Sequence, residues 1–178
     1  MFFKSTVGDE NYAKIRSMGQ KTGFGLLEIV IAASIISAVI FSLSFVFLIS
    51  QKLETTSSNK IRANFLAEEG LEASRFLRDK SWSTNLAALS AGTNYYLAFA
   101  TTTSTWSIGA AGPDKVDNLF YRKVTTENVS RDSNDNIVSS GGTNDPDTKK
   151  INMEVAWRER GATTTVTIST YLSDIFDN

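Results

Sequence analysis

From Ile29 to Ile49 the chain carries no charged residue. This run of Ile, Val, Ala, Leu, Phe and Ser is roughly 21 residues long, and at helical rise it spans about 30 Å, the thickness of one bilayer core. It contains neither proline nor glycine. Serines at 34, 37, 42, 44 and 50 are tolerable because a helical serine can bond back to its own backbone, so one unbroken transmembrane helix is expected. A secretory signal peptide would have a shorter apolar core and a small-residue cleavage site. The preceding segment carries Lys4, Lys14, Arg16 and Lys21 against Asp9 and Glu10. By the positive-inside rule that segment lies in the cytoplasm and everything after Ser50 lies outside.

At 178 residues the chain has room for one domain with a modest core. Lys and Arg (18) nearly balance Asp and Glu (19), so no global charge favours nucleic acid or steers a strongly charged partner. Cysteine is absent, which removes disulfides, thiol nucleophiles and thiolate metal clusters. Histidine is absent as well, and with it a Ser-His-Asp triad, histidine zinc sites and histidine acid–base work. No two acids share an apolar setting that would drive their pKa values apart, so no enzymatic activity and no catalytic residue is expected.

Residues 51–80 continue the helical pattern. Ala63, Leu66, Ala67, Gly70, Leu71, Ala73 and Leu77 fall on one side at helical spacing, suited to packing on a sheet. Ile61, Phe65 and Phe76 form a thinner stripe on the opposite side, either scattered surface hydrophobes or a subunit contact. As one rod the helix would run from about Phe24 to Asp79, on the order of 80 Å, with Gly70 its softest point. Beyond Trp82 the composition turns to Thr, Ser, Gly, Asn and β-formers. Segments 94–100, 104–108, 118–125, 150–159 and 162–172 read as strands. In the last two, Ile151, Met153, Val155 and Trp157 alternate with polar residues, and Val166, Ile168 and Leu172 share one parity, so each has one buried face. Gly161 suits a tight hairpin between them through a positive φ. The fold class expected is α+β, a long amino-terminal helix packed on a small antiparallel sheet.

Residues 131–148 are dense in turn formers and read as a long loop or a loosely held hairpin. Asp132, Asn134 and Asn136 fit the opening spacing of an EF-hand loop, but Ile137 stands where the turn glycine belongs and Thr143 where the bidentate glutamate belongs. A solvated loop is the simpler reading. No cofactor or metal is expected, with calcium in this loop in a different geometry as the alternative. Trp106 and Trp157 are expected in the core.

Glu28 stands at the mouth of the apolar run, where an ionised group is costly. It could point into the headgroups or favour the positive end of the helix dipole. Its context says more. "KTGFGLLEIVIAASII" resembles the type IV prepilin signal of pilins and type II secretion pseudopilins: a basic leader (Lys21), a glycine (Gly23), a hydrophobic residue beginning the mature chain (Phe24), and a glutamate at its fifth place (Glu28) leading into a long apolar helix. The match covers about the first third of the chain.

The resemblance implies cleavage between Gly23 and Phe24 by a membrane prepilin peptidase and N-methylation of Phe24. It implies three segments: a cytoplasmic leader, 1–23; a long helix, 24–80, with its transmembrane part at about 26–50; and a β-rich head, 81–178. It also implies partners, namely other copies in a homo-oligomeric filament, the peptidase, pilus or secretion assembly machinery, and membrane lipid before assembly. In the filament a buried Glu28 would face the Phe24 ammonium of a neighbouring copy, offsetting both desolvation costs. Gly25 replaces a commoner small or polar residue, and neither the helix proline nor the carboxy-terminal cysteine pair of many pilins is present. A low-copy tip subunit acting as a binding module and a single-span domain that never polymerises stay open as alternatives.

Overall fold

The computed structural model describes residues 25–112 and 115–176. Gly23 and Phe24 lie outside them. The chain divides into two compact units, one ending at Gln51 and the other beginning at Lys52. Helix α1, Leu26–Lys80, contributes to both.

In the first unit α1 is apolar on every side and wholly exposed, Leu26 and Phe41 at 81% and 77%. It is long and apolar enough to cross a membrane. The serines behave as expected: Ser34 Oγ donates to the Ile31 carbonyl at 2.7 Å, Ser37 to Ala33 at 2.7 Å, Ser42 to Ala38 at 2.8 Å and Ser44 to Ile40 at 2.9 Å. Each hydroxyl is thereby satisfied without a partner helix or water.

In the second unit the helix buries Ala63, Ala67, Gly70, Leu71, Ala73, Ser74 and Leu77. The predicted stripe is reproduced with Leu66 half-buried at its edge. Its members are mostly small, which lets the helix backbone approach the sheet. Gly70 shows how closely: a Cβ there would lie 2.6 Å from Met153 Sδ. The glycine expected to soften the helix sits in an unbroken stretch of it, and Met153 fills the space of its missing side chain. After the helix, a π-helical turn at Ser83–Ala87 buries Leu86, and Asn85 Nδ2 donates to the Leu77 carbonyl at 2.9 Å, closing the helix end.

Strands β1 (Tyr96–Ala100) and β2 (Thr105–Gly109) form a two-stranded hairpin. Strands β3 (Lys115–Val116), β4 (Phe120–Arg131), β5 (Ile137–Val138), β6 (Thr143–Glu159) and β7 (Ala162–Ser173) form an antiparallel sheet in the order β3-β4-β6-β7, with β5 also on β4. This is the α+β arrangement expected. Inward-facing Ile151, Met153, Val155 and Trp157 are completely buried or nearly so, and Phe120 meets Trp157 with ring centroids 5.8 Å apart. Trp106 departs from expectation: it is half-buried, 5.1 Å from the Phe99 ring.

The predicted hairpin at 160–161 is a two-residue turn. Arg160 (φ 52°) and Gly161 (φ 84°) are both left-handed, as a turn matching the sheet twist requires.

Candidate functional site: an exposed apolar helix and a polar loop

Glu28 lies in the first turn of α1, its backbone N–H donating to the Gly25 carbonyl at 2.8 Å. Its side chain is exposed, and so are its neighbours Leu26, Leu27, Ile29 and Val30. The acid therefore stands at the entrance of an uncovered apolar surface and close to the helix's amino end, where the dipole favours a negative charge. The proposed cleavage and methylation positions, Gly23 and Phe24, fall outside the described residues.

In the second unit the exposed stripe is present as read: Ile61, Phe65 and Phe76 are 55%, 65% and 43% exposed on the side of the helix away from the sheet.

The 131–148 region is a hairpin rather than an open loop. Asp132 organises its tip. Asp132 Oδ1 accepts the backbone N–H groups of Asn134 and Asn136, each at 2.9 Å, and Asn136 Nδ2 donates to Oδ2 at 3.2 Å. These bonds, the Asn136 backbone N–H first, hold the Asp132 carboxyl below the usual carboxylate range. Beyond β5 the chain re-enters the sheet at Thr143. Asp145 Oδ2 accepts from Arg131 Nε at 2.6 Å, Asp145 Oδ1 accepts the Asp147 backbone N–H at 3.0 Å, and Arg131 Nη2 donates to Thr148 Oγ1 at 3.3 Å. The Arg131 hydrogen bond is the main reason that the Asp145 carboxyl is depressed, and Asp145 in turn raises the Arg131 guanidinium.

A shallow depression of about 620 Å³ lies among Arg131, Asp132, Gly142 and Asn144. Its two acids already serve these bonds. The oxygens that a calcium ion would need are thus turned to the loop's own donors, and no three acidic side chains converge on a metal position among the described residues.

The sequence reading missed two buried cations. Arg122 points inward from β4, where its Nη1 donates to the Leu66 carbonyl at 3.1 Å and lies 3.4 Å from Glu69 Oε2. Its guanidinium sits 5.2 Å from the Trp106 ring centroid, while Nε has no hydrogen-bond partner among the described residues. Burial pulls its pKa down, and Glu69 pushes back. The strand parity Phe120, Arg122, Val124 carried the signal for this inward arginine. Lys149, buried on β6, donates to the Leu89 carbonyl, and desolvation lowers its pKa. Its signal was the same strand parity, Lys149, Ile151, Met153, extended one step before the strand as read from the sequence.

No protein-family model, curated protein or solved structure matches the chain.

Proposed function

We propose that this chain is the precursor of a structural subunit of a type IV pilus or a type II secretion pseudopilus, polymerising through its amino-terminal helix. The observation that carries the reading is the exposed, all-round apolar helix with one carboxylate, Glu28, in its first turn. Such a surface is at home in lipid before assembly and among copies of itself after assembly, and in both settings Glu28 needs a cation. Cleavage after Gly23 supplies it as the amino terminus of Phe24, which N-methylation leaves basic. The head contributes no catalysis on this reading; it decorates the filament.

The deciding experiment is the intact mass of the amino-terminal peptide from cell material. A mature chain beginning at methylated Phe24 is expected. A chain beginning at Met1, or at any other residue, overturns the proposal. Changing Gly23 to a bulky residue should leave full-length precursor in the membrane, and a mature product of normal size would refute the assigned cleavage position.

A further inference from the structure

We propose that β7 is a pairing edge that joins two copies of this chain, β7 against β7. β7 is the terminal strand of its sheet, bonded to β6 along an uninterrupted twelve-pair register from Glu159↔Ala162 to Thr148↔Ser173. Its sequence, ATTTVTISTYLS, contains no charge and no proline, and its pairing contains no bulge.

Sheets ordinarily guard such edges by keeping them short, charging them, or placing proline in them. This sheet does so everywhere else. The outer strands β3 and β5 are two residues each, and β3 carries Lys115. Where β7 ends, the same edge continues in β6 as Asn144, Asp145, Pro146 and Asp147, two acids and a proline. β2, the outer strand of the small hairpin, has five residues. Among the described residues β7 alone offers an unguarded edge of this length, so within this chain the strand that can match it end to end is another β7.

The side chains support the pairing. A two-fold contact sets a strand against itself in antiparallel fashion, and opposed residues then share a face. Centred on Thr167, such pairing places Val166 opposite Ile168 of the second copy, Thr165 opposite Ser169, Thr164 opposite Thr170 and Thr163 opposite Tyr171. Val166 and Ile168 already pack on the core but stay half-exposed at its rim. The pairing brings two of each together and completes their burial. Helices do not obstruct it. Contact between Gly70 and Met153 sets the helix of this unit over β6. Two such helices would be separated by three strand spacings, about 14 Å, against roughly 8–10 Å for helices in contact. The two-fold axis stands normal to the shared sheet and reverses the direction of the helix packed on it, so the contact joins heads of opposite orientation, such as those of two neighbouring filaments, and is separate from polymerisation through α1.

The chain has no native cysteine, which makes cross-linking clean. In detergent-solubilised full-length protein, Thr167→Cys should give a disulfide-linked dimer under mild oxidation. Thr163→Cys alone should not, but mixed with Tyr171→Cys chains it should. Thr167→Lys sets two ammonium groups opposite each other and should weaken self-association by up to about fivefold. Glu28→Ala should leave the Thr167→Cys dimer intact, which separates this contact from filament formation. The proposal is overturned if Thr167→Cys stays monomeric or links only to a different protein. It is equally overturned if Thr163→Cys self-links as readily as Thr167→Cys, or if Glu28→Ala abolishes the dimer.

Discussion

Glu28 and Arg122 are both charges set among apolar neighbours, and their different surroundings lead to different expectations. Glu28 is uncovered in the single chain, so on the filament reading Glu28→Ala should spare processing and reduce incorporation; wild-type filament yield would count against an ammonium partner. Arg122 is already enclosed by Leu66, Glu69 and Trp106. Arg122→Ala removes the cation and leaves a cavity beneath the β1–β2 hairpin, and a loss of about 2–4 kcal/mol is expected by denaturant titration. Arg122→Met keeps the volume and removes the desolvation cost, so it should lose markedly less.

The carboxylates have a signed pH dependence. Asp132 and Asp145 lie below their ordinary 3.8 and Glu127 and Glu159 below their ordinary 4.5. A depressed carboxylate contributes stability that is fully present above its unfolded pKa and is lost as pH falls through the lower, folded one. Melting temperature should therefore hold from neutrality to about pH 5 and fall below about pH 4. Asp145→Asn should flatten that fall in part.

At the scale of elements, Gly70 makes the helix–sheet contact testable. Gly70→Val drives two methyl groups into Met153 and should cost about 2–3 kcal/mol. Combined with Met153→Ala, which opens the space, the double variant should lose less than the sum of the two single losses.

The same contact was half legible in the sequence. The helical spacing of Ala63, Ala67, Leu71 and Leu77 and the alternation of Ile151, Met153, Val155 and Trp157 gave both faces, because burial on one side imposes periodicity. The role of Gly70 was not legible, since propensity sees a missing side chain as a weakness and only the neighbour shows it as a fit. The strands near the 131–148 region were read short for a similar reason. Strand β4 runs to Arg131 rather than 125, and β6 begins at Thr143 rather than 150. Asn144, Asp145, Pro146 and Asp147 look like a turn. They are held in the sheet by the Arg131–Asp145 pair and by a register shift opposite Asn128 and Val129 that accommodates Pro146. Strand β3 went unread although its signal was present: Asp117 and Asn118, both at positive φ, make the tight turn into β4. Glu28 was legible from its charge in an uncharged setting, whereas the unguarded length of β7 needed the strand order.

At the scale of the molecule, the division at Gln51 and Lys52 predicts separable behaviour. A fragment beginning at Lys52 should stay in solution without detergent and melt in one cooperative transition by circular dichroism, while the full chain should need detergent or lipid. A fragment that aggregates or melts without cooperativity would show that the second unit depends on the first. The hairpin at 131–148 gives a second whole-molecule expectation: a chelator should leave the head's melting temperature unchanged, and a fall of several degrees would return calcium to consideration.

The core of the head joins residues far apart in order of synthesis, with Gly70 against Met153 and Leu66 beside Arg122. The apolar run leaves the ribosome before the head and can enter lipid at once, but Ala63 to Leu77 cannot complete their packing until Ile151 to Trp157 have emerged. Closure of this unit therefore waits on almost the last stretch to be made, a loop-closing step that slows folding. Until then the sheet-binding face of the helix is incompletely covered, and a chaperone has a defined interval in which to shield it.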